Sequence, residues 1–242
     1  MSVADKIKTE NKEIIQPKKM GLLVENPVYK PFRYPWCYDA WLTQQRIHWL
    51  PEEVPLGDDV RDWQKNLSQP EKNLLTQIFR FFTQADVEVN NCYLRHYTTV
   101  FKPTEVLMMM TAFASMETVH VAAYSHLLDT IGMPESEYSA FMKYKEMKDK
   151  YDYMQGFNVN SKEDIAKTVA VFSAFTEGLQ LSASFAILLN LFLVITTIPN
   201  FFWFIIFKAC EKFFLWSITG ILFPVTIISF ASLREAPKFP PL

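Results

Sequence analysis

The segment MTAFASMETVHVAAYSHLLDTIG, residues 110–132, reads as one long helix that carries two polar side chains on its apolar face. Its interior positions recur in alternating steps of four and three residues, the spacing of one helical face. An unpaired charge costs several kcal/mol in the interior, so Glu117 and His120 need a compensating partner there, and a divalent metal would supply one. The face comprises Val106, Met110, Phe113, Glu117, His120, Tyr124, Leu127 and Ile131.

The composition limits the class of protein. The chain has 242 residues, half of them hydrophobic, and a formal net charge of -2, which suits one domain or one domain with an appendage and argues against a nucleic-acid-binding protein. Its three cysteines form no Cys-x-x-Cys pair, so neither a disulfide framework nor a thiolate zinc site is indicated. The N-terminus is polar and lysine-rich, so it is not a secretory signal, and a cytoplasmic location is expected.

Helical spacing and the scarcity of glycine predict an all-α protein. A short helix is predicted within residues 38–49. The first long helix starts at a capping pattern of Ser68 and Glu71 and runs to about residue 97, with Asp86 on its interior face. The helix of residues 104–131 then ends at Gly132.

Two further helices are predicted after this point. A shorter, charged helix is expected near residues 135–150. A third long helix starts at Ser161 and Asp164. Its shared face is expected to comprise Ala170, Ala174, Glu177, Leu181 and Phe185.

The chain divides into three regions by composition. Residues 1–35 read as an irregular N-terminal arm, residues 36–190 as a helical domain, and residues 191–242 as an aberrant, very hydrophobic tail. No charged residue occurs from Gly178 through Phe207 or from Phe213 through Leu233. Each of these runs is long enough to cross a bilayer.

Two other interior acids complete a candidate metal site. Asp86 and Glu177 lie on the inner faces of two other long helices, so three helices bring together three carboxylates and one imidazole. This is most of a di-metal site of the helical-bundle type, in which a Glu-x-x-His pair supplies two ligands from one helix. Carboxylate oxygens with one imidazole per metal favour iron or manganese over zinc or copper.

Structural roles are the alternative for each of these residues. His120 could be a core histidine bonded to a backbone carbonyl, and Glu117 could pair with an arginine. Tyr124, one turn beyond His120, reads either as an ordinary core tyrosine or as a phenol that is oxidised beside a metal pair. Glu88 lies well round the helix from Asp86 and is expected to be a solvated charge. His48, His96 and His126 are expected to be structural.

Together these segments resemble the small (β, or R2) subunit of class I ribonucleotide reductase, over roughly residues 25–190. RIHWLPEEV resembles the family's Trp-x-Pro-Glu-Glu-Val segment and places Trp49 at the tryptophan of its electron-transfer route. FFTQADVEVNN places Asp86 at the first metal-ligand aspartate.

The remaining segments extend the resemblance in the family's order. SMETVHVAAYSHLL places Glu117 and His120 at metal ligands and Tyr124 at the radical tyrosine. AVFSAFTEGLQLSASFAILLN places Glu177 at the first ligand of the second helix pair. The resemblance implies a ferritin-like helical bundle.

The resemblance also implies a function. A di-iron or manganese/iron cofactor and oxygen would oxidise Tyr124, and the radical would pass through Trp49 to a large (α) subunit that reduces ribonucleotides. The chain itself would be the radical generator and a homodimer.

The sequence departs from the family after about residue 190. The family's second Glu-x-x-His is missing, so the second metal site is incomplete, and this chain is expected to be truncated and defective as a radical generator. Three explanations stay open for the tail: out-of-frame or read-through translation, a membrane hairpin joined to a ferritin-like half, or a divergent buried core. Two rival functions also stay open, namely a ferritin-like metal-binding oxidase or storage protein and a membrane-associated non-catalytic product.

Overall fold

The structure is a computed structural model that describes the backbone of residues 21–194 and the side chains of residues 21–188. Within that range it contains helices and no strand, which confirms the all-α prediction. The longer helices are α1 Pro35–Arg46, α2 Gln69–Asn91, α3 Thr104–Ile131, α4 Lys145–Gln155, α5 Lys162–Ala170 and α6 Ser182–Val194. The predicted tail and its possible membrane hairpin lie outside the described residues.

Local signals set the ends of the long helices. Glu71 Oε2 accepts hydrogen bonds from the backbone N–H of Ser68 at 2.7 Å and from its hydroxyl at 2.6 Å, directly before α2. Ser161 Oγ accepts the backbone N–H of Asp164 at 3.0 Å and caps α5. Gly132 has φ 79°, a left-handed conformation that ends α3 at little cost for glycine. These three predicted helix boundaries are confirmed.

Two predictions for the later helices are wrong. The charged helix near residues 135–150 is two helices, Ser136–Ala140 and α4, separated by the 3-10 turn Phe141–Lys143. In the third long helix Ala174 is exposed, and the buried side chains are Phe172, Ser173, Thr176 and Glu177. The π-helical segment Val171–Leu181 joins α5 to α6, and its i→i+5 bonding changes which residues share a face.

The described residues form two compact units, each containing part of α2 and part of α3. The first unit comprises residues 21–48 and 90–117. Its core includes Cys37, Tyr97 and Phe101, and the rings of Tyr93 and Phe113 lie 6.0 Å apart between their centroids.

A buried carboxylate organises the start of α1 in this unit. Glu105 is 0% exposed, and its Oε1 accepts the backbone N–H groups of Arg33 at 2.6 Å and of Tyr34 at 2.8 Å. These groups directly precede α1, where the first N–H groups of a helix have no partner within the helix. Glu105 therefore fixes the point at which the extended segment before α1 meets α3.

The second unit comprises residues 49–89 and 118–194 of the described chain. Here α2 and α3 run antiparallel. Phe82 stacks on Tyr124, with ring centroids 5.1 Å apart and an interplanar angle of 15°. One turn earlier on α2, Phe79 lines a small cavity together with Leu127, one turn later on α3. Contacts that advance in opposite directions along two helices require antiparallel packing.

Two helical stretches of the described chain, Thr104–Ile131 and Lys162–Leu188, are long and apolar enough to cross a bilayer by length and composition. A buried core helix meets the same criterion. The first stretch contributes buried residues to both units, including Val106, Met110 and Leu127. Packing within the protein therefore explains its apolar character.

Replacing Glu105 by alanine should lower the free energy of unfolding by about 1–3 kcal/mol, because two buried N–H groups lose their acceptor. Glu105→Gln keeps an acceptor oxygen and should lose less. The measurement is urea unfolding, in which the midpoint falls while the slope is unchanged. Glu52→Ala, at an exposed acid, is the control and should leave the midpoint unchanged. Equal midpoints for Glu105→Ala and the control would contradict the role assigned to Glu105.

Candidate metal centre

The predicted aspartate and histidine meet between α2 and α3. His120 Nδ1 lies 3.4 Å from Asp86 Oδ2, and the Asp86 side chain is 5% exposed. His120 is half-buried, with a side-chain exposure of 19%. A carboxylate in this position needs a positive partner, which a protonated imidazole or a bound cation can provide.

Glu117 adds a second carboxylate from the same helix as His120. It is buried and lies three residues before the histidine, so one turn of α3 projects both side chains from one face. Asp86, Glu117 and His120 each offer one ligand atom, and these atoms all lie within 4.8 Å of one another. Of all the acids, cysteines and histidines in the described part of the chain, these three form the group that could hold a metal ion.

The donor set and its size fit a divalent cation. Two ligand atoms bound at about 2.2 Å on opposite sides of one ion are at most about 4.4 Å apart. Ligand atoms that are 4.8 Å apart would therefore have to approach each other by a few tenths of an ångström to bind one ion. Two carboxylate oxygens and one imidazole nitrogen are ligands that suit iron and manganese. The structure therefore brings the three predicted residues together, and their role as metal ligands stays a prediction.

The fourth predicted ligand is not in this group. Glu177 is buried, with 7% exposure, and lies within the π-helical segment Val171–Leu181. A Cβ added to the neighbouring Gly178 would lie 3.0 Å from the backbone oxygen of Ser173, so a small residue suits this tightly wound segment. The role of Glu177 as a metal ligand stays a prediction.

The two predicted redox residues lie close to the candidate ligands. Tyr124 is 6% exposed, and its ring is stacked on Phe82, whose ring lies 5.3 Å from that of Phe185. Trp49 is buried, and its ring centroid lies 6.4 Å from that of His120. The aromatic neighbours of Tyr124 exclude water from the phenol, and Trp49 adjoins the candidate metal centre.

The sequence reasoning missed the contribution of Phe82. It lies on the interior face of α2, one turn before Asp86, and its part in enclosing Tyr124 depends on the pairing of α2 with α3. Its apolar character and spacing predicted burial. They could not predict which side chain it would contact.

The expectation for Glu88 is wrong. It is buried, and its two carboxylate oxygens accept hydrogen bonds from the side-chain amides of Gln84, at 2.8 Å, and Gln155. The carboxylate lines a cavity of about 240 Å³ whose walls include Phe81 of α2 and Met154 of α4. Packing of α4 against α2 removes Glu88 from solvent, and the only signal in the sequence was the glutamine four residues before it.

Comparison with known proteins agrees with these findings. The profile of the family described as "Ribonucleotide reductase, small chain" matches residues 26–194. That match covers most of the described chain and includes all six predicted site residues.

The chain belongs to the ribonucleotide reductase small chain family.

Two viral members of the family are similar in sequence. The chain is 48% identical over 184 residues to a protein of Invertebrate iridescent virus 6 named "Probable ribonucleoside-diphosphate reductase small subunit". The alignment covers 70% of this chain and 51% of the viral protein. It is 43% identical over 191 residues to the protein of the same name in Invertebrate iridescent virus 3, covering 71% and 50%. The chain thus spans about half the length of the curated relatives it matches.

Solved structures share the fold, which confirms the ferritin-like prediction. A ribonucleotide reductase R2 subunit from Clostridium botulinum matches with a TM-score of 0.67 at 17% identity, over 87% of this chain and 68% of that one. An R2-like ligand-binding oxidase, solved with a Mn/Fe cofactor, matches with a TM-score of 0.61 at 15% identity, over 83% and 78%. At these identities the likeness concerns the fold alone.

Replacing His120 by alanine should weaken Mn²⁺ or Fe²⁺ binding at least about tenfold, because the group loses its only imidazole. The measurement is anaerobic titration of the metal-free chain, followed by calorimetry or by the EPR signal of free Mn²⁺. His126→Ala removes an exposed histidine six residues further along the same helix and should leave the affinity unchanged. If both variants bind metal as tightly as the unaltered chain, the ions bind elsewhere.

Proposed function

We propose that this chain carries the radical-generating core of a ribonucleoside-diphosphate reductase small subunit, an oxidoreductase of deoxyribonucleotide synthesis. The observation that supports the proposal best is the convergence of Asp86, Glu117 and His120 within 4.8 Å, in a chain whose family is the small chain of that enzyme. When bound, iron or manganese would supply the oxidising chemistry with O₂.

In this proposal Asp86, Glu117 and His120 hold the first metal. The two carboxylates neutralise a divalent ion, and the imidazole contributes the nitrogen ligand that favours a transition metal over magnesium or calcium. Because α2 and α3 are packed through their aromatic side chains, the ligands are held on rigid elements, which limits how far they must move to bind the ion.

Tyr124 is the residue we propose to be oxidised. It would lose one electron and its phenolic proton, which leaves a neutral radical on the ring. The ring lies on α3 one turn beyond His120, with Phe82 stacked against it, and it is almost entirely shielded from solvent. Burial among apolar side chains keeps water and reductants away from the phenol and so lengthens the lifetime of a radical.

Trp49 is the residue we propose to carry the oxidising equivalent out of the site. Its ring lies 6.4 Å from that of His120, between centroids, and it is buried beside the candidate metal centre. The partner would be a large (α) subunit, where the ribonucleotide is reduced. A homodimer of small subunits is the assembly that we expect.

The second metal is where this chain differs from a complete radical generator. Glu177 is the one ligand we propose for it, and the sequence contains a single Glu-x-x-His, at Glu117 and His120. We therefore propose that the chain alone binds about one metal ion tightly and gives well under one tyrosyl radical per chain.

The test is metal analysis with freeze-quench EPR after Fe²⁺ and O₂ are added to the purified full chain. We expect about one tightly bound iron per chain and a weak, short-lived tyrosyl signal. Tyr124→Phe should abolish that signal. Tyr97→Phe, which alters another buried tyrosine, should retain it.

The other outcomes separate the competing functions. Two irons per chain without any tyrosyl signal would favour a ferritin-like oxidase, the fold also found in the R2-like ligand-binding oxidases. Two irons with a long-lived signal from Tyr124 would show that the second site is complete after all. Absence of bound metal, with partition of the chain into detergent, would favour a membrane-associated non-catalytic product.

A further inference from the structure

A second pair of acids is buried away from the candidate metal centre. Asp59 lies in the short helix Gly57–Arg61, and Asp62 begins the π-helical segment Asp62–Asn66 that follows it. The two residues are three apart, and both are almost fully buried, with exposures of 4% and 2%. Acidic side chains are rarely buried to this extent unless they are paired.

Most of the oxygen atoms of this pair have no hydrogen-bond partner among the described residues. Both carboxylate oxygens of Asp59 and the Oδ2 of Asp62 are buried and unpartnered. The remaining oxygen, Asp62 Oδ1, accepts a hydrogen bond from the side-chain amide of Asn66 at 2.6 Å. Three unsatisfied carboxylate oxygens in one place are an unfavourable arrangement for two ionised groups.

The two acids line a small cavity. Its volume is about 20 Å³, and apart from the acids its walls include Trp63, Leu67, Leu75, Phe79, Leu127 and Ile131. A cavity needs roughly 10–15 Å³ of such volume to hold one water molecule, so this one has room for a single water.

Among the residues that the structure describes, no basic side chain lines the cavity. The side chains that face the acids from α2 and α3 are all apolar, namely Leu75, Phe79, Leu127 and Ile131. The nearby charges are engaged elsewhere. Arg61 pairs with Asp58 at 2.9 Å, and the Lys72 ammonium group lies 6.0 Å from the centre of the Trp63 ring.

A metal ion does not suit this space. Calcium takes six to eight oxygen ligands and magnesium takes six in a nearly ideal octahedron. The site offers three unpartnered carboxylate oxygens and room for one water, and its other walls are hydrocarbon. A proton is the one cation that needs neither space nor several ligands.

We propose that Asp59 and Asp62 form an internal proton-binding site, in which one proton is shared by the two carboxyl groups and one water molecule bridges them. The protonated carboxyl group donates to the water, and the water donates to the other carboxylate. The pair then carries one negative charge instead of two, and the unpartnered oxygens gain hydrogen bonds. This inference does not depend on the proposed reductase function.

The electrostatics of Asp59 support this assignment. The pKa of the Asp59 carboxyl group is raised to about 7, chiefly by burial; the Asp62 and Asp58 carboxylates add to the rise, and interaction with the Asp59 backbone N–H opposes it. In the unfolded chain the same group has a pKa of about 3.9. Between these two pH values the folded protein binds more protons than the unfolded chain. The contribution of Asp59 to the free energy of unfolding therefore falls as the pH rises towards and through about 7.

The test is thermal unfolding of the full chain from about pH 5 to about pH 8, with Asp59→Asn and a matched control. We expect the midpoint of the unaltered chain to fall by several degrees over this range. Asp59→Asn should lose this part of the pH dependence and have the higher midpoint at pH 8, because the amide is neutral at every pH. Asp58→Asn should keep this pH dependence but shift it to slightly lower pH, because the Asp58 carboxylate contributes to the raised pKa of Asp59. Asp39→Asn, at an exposed acid on α1, should follow the unaltered chain.

A direct measurement is carbon NMR of the full chain labelled at the aspartate carboxyl groups. One resonance should titrate near neutral pH, and it should be missing in Asp59→Asn and present in Asp58→Asn. A carboxyl group at Asp59 that titrates below about pH 5 would overturn the proposal. So would Mg²⁺ or Ca²⁺ that raises the midpoint of the unaltered chain but not that of Asp59→Asn, because the site would then hold a metal ion.

Discussion

The contact between Asp86 on α2 and His120 on α3 sets the register on which the surrounding structure depends. Four residues before Asp86 and four residues after His120, Phe82 stacks on Tyr124. One turn earlier on α2 and one turn later on α3, Phe79 and Leu127 line the cavity beside Asp59. One antiparallel pairing therefore places a candidate metal ligand pair, an enclosed tyrosine and a wall of the cavity beside the buried acids at successive turns of the same two helices.

Charge and its compensation explain why these turns differ from an ordinary helical core. Glu105 uses its buried carboxylate to accept two backbone N–H groups before α1, and Glu88 accepts the amides of two glutamines. The Asp86 group offers its oxygens together with an imidazole, which is a donor set for a cation. These three acids are compensated in different ways, so burial alone does not distinguish a structural carboxylate from a metal ligand.

The family of this chain and the completeness of its candidate metal centre rest on different observations. The profile match over residues 26–194 assigns the family, and the solved R2 subunit confirms the fold. The described helices contain one three-residue group that could hold a metal ion, on α2 and α3, and Glu177, in a π-helical segment, is not a member of it. The geometry therefore supports the prediction of a first metal more directly than that of a second.

The sequence by itself determined the all-α class, the starts of α2 and α5 and the end of α3, because capping side chains and a left-handed glycine act on the few residues next to them. It also determined that Asp86, Glu117 and His120 share interior faces, since helical spacing is a local property. Only the tertiary structure decided that Phe82 encloses Tyr124, that Glu88 is covered by α4, and that Asp59 and Asp62 face a small, mostly apolar cavity. Those outcomes depend on which helix packs against which face, and the π-helical winding near Glu177 shifted that face in a way that a regular 3.6-residue period could not anticipate.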